Sequence, residues 1–255
     1  MNNTYDKKTV IITGSSRGIG AATALYFAEK GFNIVINYVS NKEAADNLSR
    51  EINEKYPVDT LVIKADVSNE SEVINMLQLT KERFGRVDVL INNAGIAHSV
   101  YSVNETEEDW GRVINLNLTS QFFVAQTIAK ELMLPAKSGK IINMCSLGGI
   151  MGMATAVAYS SSKGAVMQMT KSLACEWARF GITVNCVCPG FVETALIEEN
   201  LKNEKWLGYM TMRTPMRRLA KPEDVAGTIL FLSSDMASYI TGASVVIDGG
   251  FSCGA

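Results

Sequence analysis

The chain has 255 residues, the size of one large α/β domain, and can bury a substantial core without disulfides or metals. Its formal net charge of −2 gives no electrostatic reason to expect a nucleic-acid or membrane partner. No apolar run approaches the length of about 20 residues that spans a bilayer, and residues 1–6 lack signal-peptide character. The five cysteines form no Cys-x-x-Cys pair, so the sequence predicts a cytoplasmic protein with reduced, buried thiols and no metal site.

Short apolar segments rich in β-branched residues alternate with helical patterns along the chain. Seven strands are predicted, at Thr9–Thr13, Ile34–Ile36, Leu61–Ile63, Val87–Asn92, Lys140–Asn143, Thr183–Val187 and Ser244–Ile247. Helices are predicted at about 19–30, 41–56, 69–84, 106–134, 156–179 and 225–232. Apolar strands separated by long helices indicate a parallel sheet that is covered on both faces. The predicted fold is α/β, a doubly wound, Rossmann-type sheet of seven parallel strands in a single domain of residues 1–255.

A glycine-rich turn, Thr13–Gly20, joins the first predicted strand to the first predicted helix. Glycines allow a phosphate to approach the backbone closely, and a helix N-terminus presents free N–H groups to it. The spacing is Gly-x-x-x-Gly-x-Gly, not the commoner Gly-x-Gly-x-x-Gly pattern. Its strand–turn–helix context predicts dinucleotide binding; the alternative is a plain tight turn.

Tyr159 and Lys163 lie four residues apart in a predicted helix, which places both side chains on one face. A phenol is ordinarily a poor proton shuttle at neutral pH, and a nearby ammonium favours the phenolate. The pair therefore predicts a proton-transfer site. Taken alone, the spacing also fits a solvated surface pair.

Several motifs follow one another in a fixed order: Thr13-Gly14-x-x-x-Gly18-x-Gly20, Asn92-Asn93-Ala94-Gly95, Ser146, Tyr159-x-x-x-Lys163 and Pro189-Gly190. Together they resemble the short-chain dehydrogenase/reductase family over essentially the whole chain. The Asp66-Val67 step and the Asp248-Gly249-Gly250 ending are similar to its 3-oxoacyl-carrier-protein reductase and gluconate or polyol dehydrogenase branches.

The resemblance implies a role for each of four residues. Tyr159 exchanges a proton with the substrate oxygen, and Lys163 lowers the pKa of Tyr159 and reaches the nicotinamide ribose. Ser146 binds the substrate oxygen, and Asn117 holds a water for proton relay. Asn115 competes with Asn117 by proximity, although the Asn-Leu-Thr-Ser context favours Asn117.

The same resemblance implies a cofactor that lies along the ends of the strands. The predicted contacts are Gly14, Ser16, Arg17, Gly18, Ile19, Gly20, Asn37, Tyr38, Ser40, Asp66, Val67, Asn93, Ala94, Gly95, Tyr159, Lys163, Pro189, Gly190, Val192 and Thr194. An acid at the end of the second strand would repel a 2′-phosphate, and none occurs before Glu43. Because Arg17 also resembles the family's phosphate-binding arginine, we expect NADP, with NAD less favoured. The alternative for Arg17 is a solvated loop residue.

The implied activity is metal-free hydride transfer between NADP(H) and a ketone or secondary alcohol. The leading substrate is a 3-oxoacyl thioester, which a carrier can hold. A sugar acid or polyol stays open because Cys175-Glu176-Trp177-Ala178 is similar to the gluconate-type branch. A catalytically silent cofactor-binding regulator is the alternative of another class, and the intact set of four residues argues against it.

The long irregular stretch at about 190–215 mixes apolar and charged side chains, which predicts a mobile substrate lid; a well-packed helical excursion is the alternative. Family members are commonly tetramers. We therefore expect a homotetramer that pairs the helices near 106–134 and 156–179 at one interface and Phe251–Ala255 at another. His98, the only histidine, is expected at the rim of the site in a structural or solvent-facing role.

Overall fold

Seven strands form one sheet in which every neighbouring pair is parallel. The computed structural model describes residues 7–254, so the predictions for residues 1–6 and Ala255 fall outside it. The strands are β1 Thr9–Ile12, β2 Asn33–Tyr38, β3 Thr60–Lys64, β4 Val89–Asn92, β5 Gly139–Met144, β6 Ile182–Pro189 and β7 Ser244–Ile247. Their order across the sheet is β3-β2-β1-β4-β5-β6-β7. The predicted doubly wound sheet of seven parallel strands is confirmed.

Ten α-helical segments connect and cover the strands in the described part of the chain. They are α1 Gly18–Glu29, α2 Lys42–Lys55, α3 Glu70–Phe84, α4 Glu107–Ile114, α5 Ser120–Ile128, α6 Leu134–Ala136, α7 Val157–Trp177, α8 Glu198–Leu201, α9 Glu204–Arg213 and α10 Pro222–Leu232. Two π-helical turns, Asn115–Thr119 and Ala129–Met133, join α4, α5 and α6 into one run. The prediction that this run stops before Pro135 is wrong. Pro135 lies in α6, which directly follows the second π-helical turn, and the run ends one residue later at Ala136.

Alternate strand residues point to opposite faces of the sheet and build a core on each. On one face, Ile11 and Leu90 pack with residues of α3, α5 and α7, including Phe84 and Trp177. On the other face, the strand residues pack with α1, α2 and α10, including Phe27. This two-sided burial explains why the strands read as continuous apolar segments.

The chain reverses its direction of travel across the sheet between β1 and β4. The first three strands are laid down from β1 outward to β3, and the chain then returns to add β4 on the other side of β1. In sheets of this kind, ligands bind in the crevice at the carboxyl ends of the strands at such a switch point. The loops after β1 and β4 carry the glycine-rich turn and Asn93–Gly95.

The structure tests two of the exclusions drawn from composition. Within residues 7–254, no helix combines the length and apolar character that crossing a membrane requires. Cys145, Cys186 and Cys188 are buried, whereas Cys175 and Cys253 are exposed. The prediction of buried thiols is wrong for these two because Cys175 faces outward on α7 and Cys253 lies in the turn after β7.

Candidate active site

Hydrogen bonds from the loop after β4 fix the position of the glycine-rich turn. Asn93 donates its side-chain N–H groups to the carbonyls of Thr13 and Gly14, at 2.8 and 3.0 Å. The Thr13 hydroxyl accepts the backbone N–H groups of Asn93 and Ala94, each at 2.9 Å. These bonds fix the loop after β4 to the turn, and they leave the end of α1 facing the crevice.

The N-terminus of α1 has the features of an anion site. No side chain caps it, whereas Asn41 and Asn69 cap α2 and α3 by accepting backbone N–H groups. Gly18, its first residue, has φ of +60°, and a Cβ there would lie 3.3 Å from the Thr194 methyl. Uncapped N–H groups at a positive dipole end, beside backbone without side chains, fit the pyrophosphate of a dinucleotide.

Asn37 has a structural role in addition to the one predicted. It is 1% exposed, and its side chain accepts the Gly14 N–H at 2.9 Å and donates to the Ala65 carbonyl at 2.8 Å. Its backbone N–H and carbonyl both bond to Ser15, at 3.0 and 2.9 Å. All its polar groups are engaged within the protein, and the predicted contact of Asn37 with a cofactor stays a prediction. Asn37 holds the glycine-rich turn against β2 and β3.

The other residues predicted to surround the adenosine end lie at the same edge of the sheet. Arg17 and Ser40 are exposed, and among residues 7–254 the Arg17 guanidinium forms no ion pair or side-chain hydrogen bond. Asp66 is half-buried, and one carboxylate oxygen accepts both the N–H and the hydroxyl of Ser68. The side chains of Tyr38 and Val67 are buried in the two cores. The cofactor contacts predicted for these two residues would therefore be made by their backbone atoms.

Tyr159 and Lys163 lie together on α7, beneath the loops that follow β4 and β5. The Lys163 ammonium is 5.8 Å from the centroid of the Tyr159 ring and donates to the Met144 carbonyl at 2.8 Å. Lys163 is 3% exposed, whereas Tyr159 is partly exposed. A Cβ on Gly95 would lie 3.5 Å from this ammonium, so the absence of a side chain at Gly95 keeps the approach to Lys163 open.

Burial changes the acidity of both groups. It raises the pKa of the Tyr159 phenol, and interaction with the Ser146 hydroxyl opposes this rise in part. It lowers the pKa of Lys163 from 10.5 to about 8. The predicted lowering of the Tyr159 pKa is therefore wrong for this structure, because the burial of the phenol outweighs its interaction with the Ser146 hydroxyl. Tyr159 is present as a neutral phenol, the form that donates a proton.

Ser146 follows β5 and lies beside Tyr159. Its extended backbone begins a short 3₁₀ turn, Leu147–Gly149, whose Gly148 N–H is accepted by the Ser146 hydroxyl at 3.1 Å. A Cβ on Gly148 would lie 3.3 Å from the Tyr159 ring. The turn thus places one hydroxyl and one phenol side by side, where both can bind a single carbonyl oxygen.

Asn117 lies in the first π-helical turn and is fully buried, whereas its competitor Asn115 is exposed. Its side-chain oxygen accepts the Ile96 N–H, and its side-chain nitrogen donates to the Ile96 carbonyl, both at 2.9 Å. The nitrogen also lies 3.3 Å from the Ser162 hydroxyl on α7. π-Helical turns often occur at functional sites, and this one turns Asn117 toward the loop after β4.

The segment after β6 completes the site. Pro189 and Val192 are buried, and the Gly190 N–H donates to the Ile247 carbonyl at 2.9 Å. Val192 pairs with Ala220 in a parallel bridge, and Thr194 follows it against the first turn of α1. The predicted site residues from six loops therefore meet along one edge of the sheet.

Comparison with known proteins agrees with this arrangement. The family model described as Enoyl-(Acyl carrier protein) reductase matches residues 14–252. The 3-oxoacyl-[acyl-carrier-protein] reductase of Synechocystis sp. is 43% identical over 244 residues, which cover 95% of this chain and 96% of that protein. The chain belongs to the short-chain dehydrogenase/reductase family. It is an oxidoreductase that acts on CH–OH or carbonyl groups, in a family that uses a nicotinamide cofactor.

Solved structures of short-chain dehydrogenases extend the comparison. The gluconate 5-dehydrogenase of Burkholderia cenocepacia J2315, in complex with NADP and tartrate, has a TM-score of 0.91 and 33% identity. The match covers 97% of this chain and 96% of that one. Levodione reductase has a TM-score of 0.93 and 32% identity, and the match covers 97% and 98% of the two chains.

Three supporting residues were not found from the sequence. Thr13 organises the loop after β4, Ser162 links Asn117 to α7, and Glu105 pairs with His98. Thr13 and Ser162 lie inside motifs that had been singled out, and that position was their only signal. Glu105 had no signal, because its partner is seven residues away in an irregular loop. Among residues 7–254, no three His, Cys, Asp or Glu side chains are arranged to hold a metal ion.

Proposed function

We propose that this protein is an NADP(H)-dependent reductase of 3-oxoacyl thioesters, which a carrier can deliver. The observation that carries the proposal is the grouping of Ser146, Tyr159, Lys163 and Asn117 beside the open N-terminus of α1. The 43% identity with a 3-oxoacyl-[acyl-carrier-protein] reductase supports the substrate class. A silent cofactor-binding regulator would have no need of this grouping.

Each group then has a chemical task. A bound nicotinamide would supply the hydride, and the chain supplies orientation and the proton. Ser146 donates a hydrogen bond to the substrate oxygen, and the neutral Tyr159 phenol donates the proton that this oxygen takes up. Lys163 holds a positive charge beside the phenol as it becomes a phenolate and reaches toward the nicotinamide ribose. The Asn117 side chain holds the loop after β4 through its two bonds to Ile96, and the water that replaces the proton is predicted to lie beside this residue.

A sugar-acid or polyol dehydrogenase is the second candidate. The similarity to a gluconate 5-dehydrogenase solved with NADP and tartrate favours it. A substrate panel separates the candidates when oxidation of NADPH and reduction of NADP are both followed by nicotinamide absorbance. We expect the highest kcat/KM with a 3-oxoacyl thioester. A higher value with gluconate or a polyol would favour the second candidate, and no turnover with any member would contradict the proposed function.

We further propose that Arg17 selects NADP over NAD. Its guanidinium is exposed and unpaired within the described chain. No acidic residue, which would repel a 2′-phosphate, lies at the end of β2. An arginine–phosphate contact is charge-assisted and can be bidentate.

Replacement of Arg17 by alanine tests this selection. Arg17→Ala should raise the Kd for NADPH by about tenfold or more and leave the Kd for NADH unchanged, because only NADPH carries the 2′-phosphate. Fluorescence titration with both cofactors measures the two constants. Asn37→Leu is the control, because it disturbs the turn itself and should weaken both cofactors alike. Equal losses for both cofactors in Arg17→Ala would refute the selection.

The single domain, 1–255, is proposed to carry its substrate lid within the predicted range 190–215. Two ring contacts, of Trp206 with Phe191 at 5.5 Å and of Arg213 with Phe251 at 5.0 Å, anchor α9. Neither α8 nor α9 has a buried residue, but of these two helices only α9 has such ring contacts within residues 7–254. A groove of about 490 Å³ also separates α8 from α1 and α10. The moving part is therefore residues 195–203.

The lid predicts a change in hydrogen exchange when ligands bind. Backbone amides of 195–203 should exchange fast in the free protein and more slowly with NADP(H) and substrate, because closure excludes water. Peptides from α9 serve as the internal control and should change less. Strong protection of 195–203 in the free protein would contradict a lid and favour the packed helical excursion.

Assembly and location are also proposals. Phe123 on α5 is 46% exposed, which supports pairing of the helices of residues 106–134 and 156–179 in a homotetramer. The C-terminal turn supplies the second proposed interface, of which Ala255 lies outside the described residues. The family's metabolic substrates and the unpaired cysteines support a cytoplasmic location.

A further inference from the structure

A partly buried contact between a histidine and a carboxylate lies beside the site, and the proposed reaction does not use it. The Nε2 atom of His98 is 3.3 Å from Oε1 of Glu105, and their side chains are only 20% and 8% exposed. Neither carboxylate oxygen of Glu105 has a hydrogen-bond partner among residues 7–254, and both are shielded from solvent. A carboxylate shielded in this way needs a polar neighbour, and the imidazole of His98 is the one within reach, so the positions of the two side chains depend on each other.

His98 lies in the middle of a segment, Ile96–Val100. Hydrogen bonds hold the two ends of this segment to Asn117 and to Thr155. At one end, both backbone polar groups of Ile96 are bonded to the Asn117 side chain. At the other end, the Val100 N–H donates to the Thr155 carbonyl at 2.7 Å, and the hydroxyls of Ser99 and Thr155 are 2.8 Å apart. His98 lies between these ends and is the residue that fastens the segment to the start of α4.

The backbone of Thr155, at the second attachment, is strained. Its φ is +63°, in a region that β-branched residues rarely occupy, and it precedes Tyr159 by four residues. Strained backbone of this kind persists only where its surroundings hold it in place. The hydrogen bonds of Thr155 to Ser99 and Val100 keep it in this conformation, and both bonds depend on the position of residues 96–100.

We propose that His98 and Glu105 form a latch that holds residues 96–100 against Asn117 and Thr155, which makes His98 a positioning residue. The consequences of the latch for turnover rest on the proposed function, whereas its consequences for the backbone do not. Opening the latch loosens the Asn117 contact and the loop that leads to Tyr159. It leaves the α1 N-terminus and its glycine-rich turn unchanged, because none of their hydrogen bonds involves this segment.

Hydrogen exchange in Glu105→Ala tests the latch most directly. This variant removes the shielded carboxylate and leaves the His98 side chain partly exposed to solvent, so it should fold. The amides of Ile96 and Val100 should exchange about tenfold faster, which corresponds to the loss of about one such interaction. Glu105→Gln keeps a hydrogen-bonding group opposite His98 and should restore slow exchange. Arg112→Gln, which breaks the neighbouring exposed pair with Asp109, is the matched control and should change neither amide.

Kinetics then separate positioning from a general loss of stability. In Glu105→Ala and His98→Phe, kcat should fall by about tenfold while the Kd for NADPH stays unchanged, and Glu105→Gln should recover most of kcat. Unchanged exchange at Ile96 and Val100 in Glu105→Ala would overturn the latch. Equal loss of kcat in Glu105→Gln and Glu105→Ala would overturn the positioning role. If the wild-type protein turns over no member of the substrate panel, the proposed function fails and the exchange result still decides the latch.

Discussion

Tyr159→Phe should lower kcat by about 100- to 10,000-fold, the range that a positioned general acid contributes. The substitution removes only the phenolic oxygen, and the ring keeps its packing against the turn that contains Gly148. The proton donor is lost together with one predicted cofactor contact, but no group at the α1 N-terminus changes, so the Kd for NADPH should change far less than kcat. Steady-state kinetics with the preferred substrate and a fluorescence titration with NADPH measure the two effects.

Tyr101→Phe is the matched control for this substitution. Tyr101 is 72% exposed and uses its hydroxyl in no hydrogen bond within the described residues. Its kcat should equal the wild-type value. If Tyr159→Phe turned over as fast as Tyr101→Phe, the proton would come from another group, and the role proposed for Tyr159 would be wrong.

The fold could be predicted because its signals are local. Each strand is a short apolar run, each long helix follows one, and burial on both faces of a parallel sheet requires that pattern. The order of the strands follows from the same pattern through the way such sheets are wound. The π-helical turn at Asn115–Thr119 was not predicted, because it shifts hydrogen bonds within a continuous helix and changes no residue preference.

The candidate site could be predicted less completely than the fold. The position of Asn37 at the end of β2 predicts a cofactor contact, but it does not predict that its four polar groups bond to residues near 14 and 65. The pKa of Tyr159 was expected to fall because Lys163 is near, but burial decides its direction. A spacing in sequence shows which residues are close. It does not show how deeply they are buried or which partners they already have.

Replacement of Lys163 should have a large effect on the free energy of unfolding, because burying its ammonium destabilises the folded protein. Lowering the pKa of Lys163 from 10.5 to about 8 corresponds to about 3 kcal/mol of unfolding free energy lost at neutral pH. Lys163→Met removes this cost while keeping the length of the side chain. The lost hydrogen bond to Met144 offsets about 1 kcal/mol. Met144 is not left unpaired, because its carbonyl also accepts from Gln121 at 3.3 Å.

Lys163→Met should therefore be more stable than the wild type by about 2 kcal/mol at pH 7 and should lose kcat by about 100-fold or more. The sign of its pH dependence is fixed. Between pH 8 and 10.5 the unfolded wild-type chain binds more protons at this lysine than the folded chain, so wild-type stability rises with pH in that window. The advantage of the variant is full below pH 8 and is lost as the pH rises through 10.5.

Urea denaturation of both proteins at one protein concentration, at several pH values from 7 to about 10.5, measures this difference. Lys171→Met is the matched control, because Lys171 lies on the same helix and is exposed. It should change neither the stability nor kcat appreciably. A Lys163→Met variant that is less stable than the wild type at pH 7 would contradict the cost assigned to burial. Stabilisation together with lost turnover would instead show that α7 gives up stability to keep a charged group beside Tyr159.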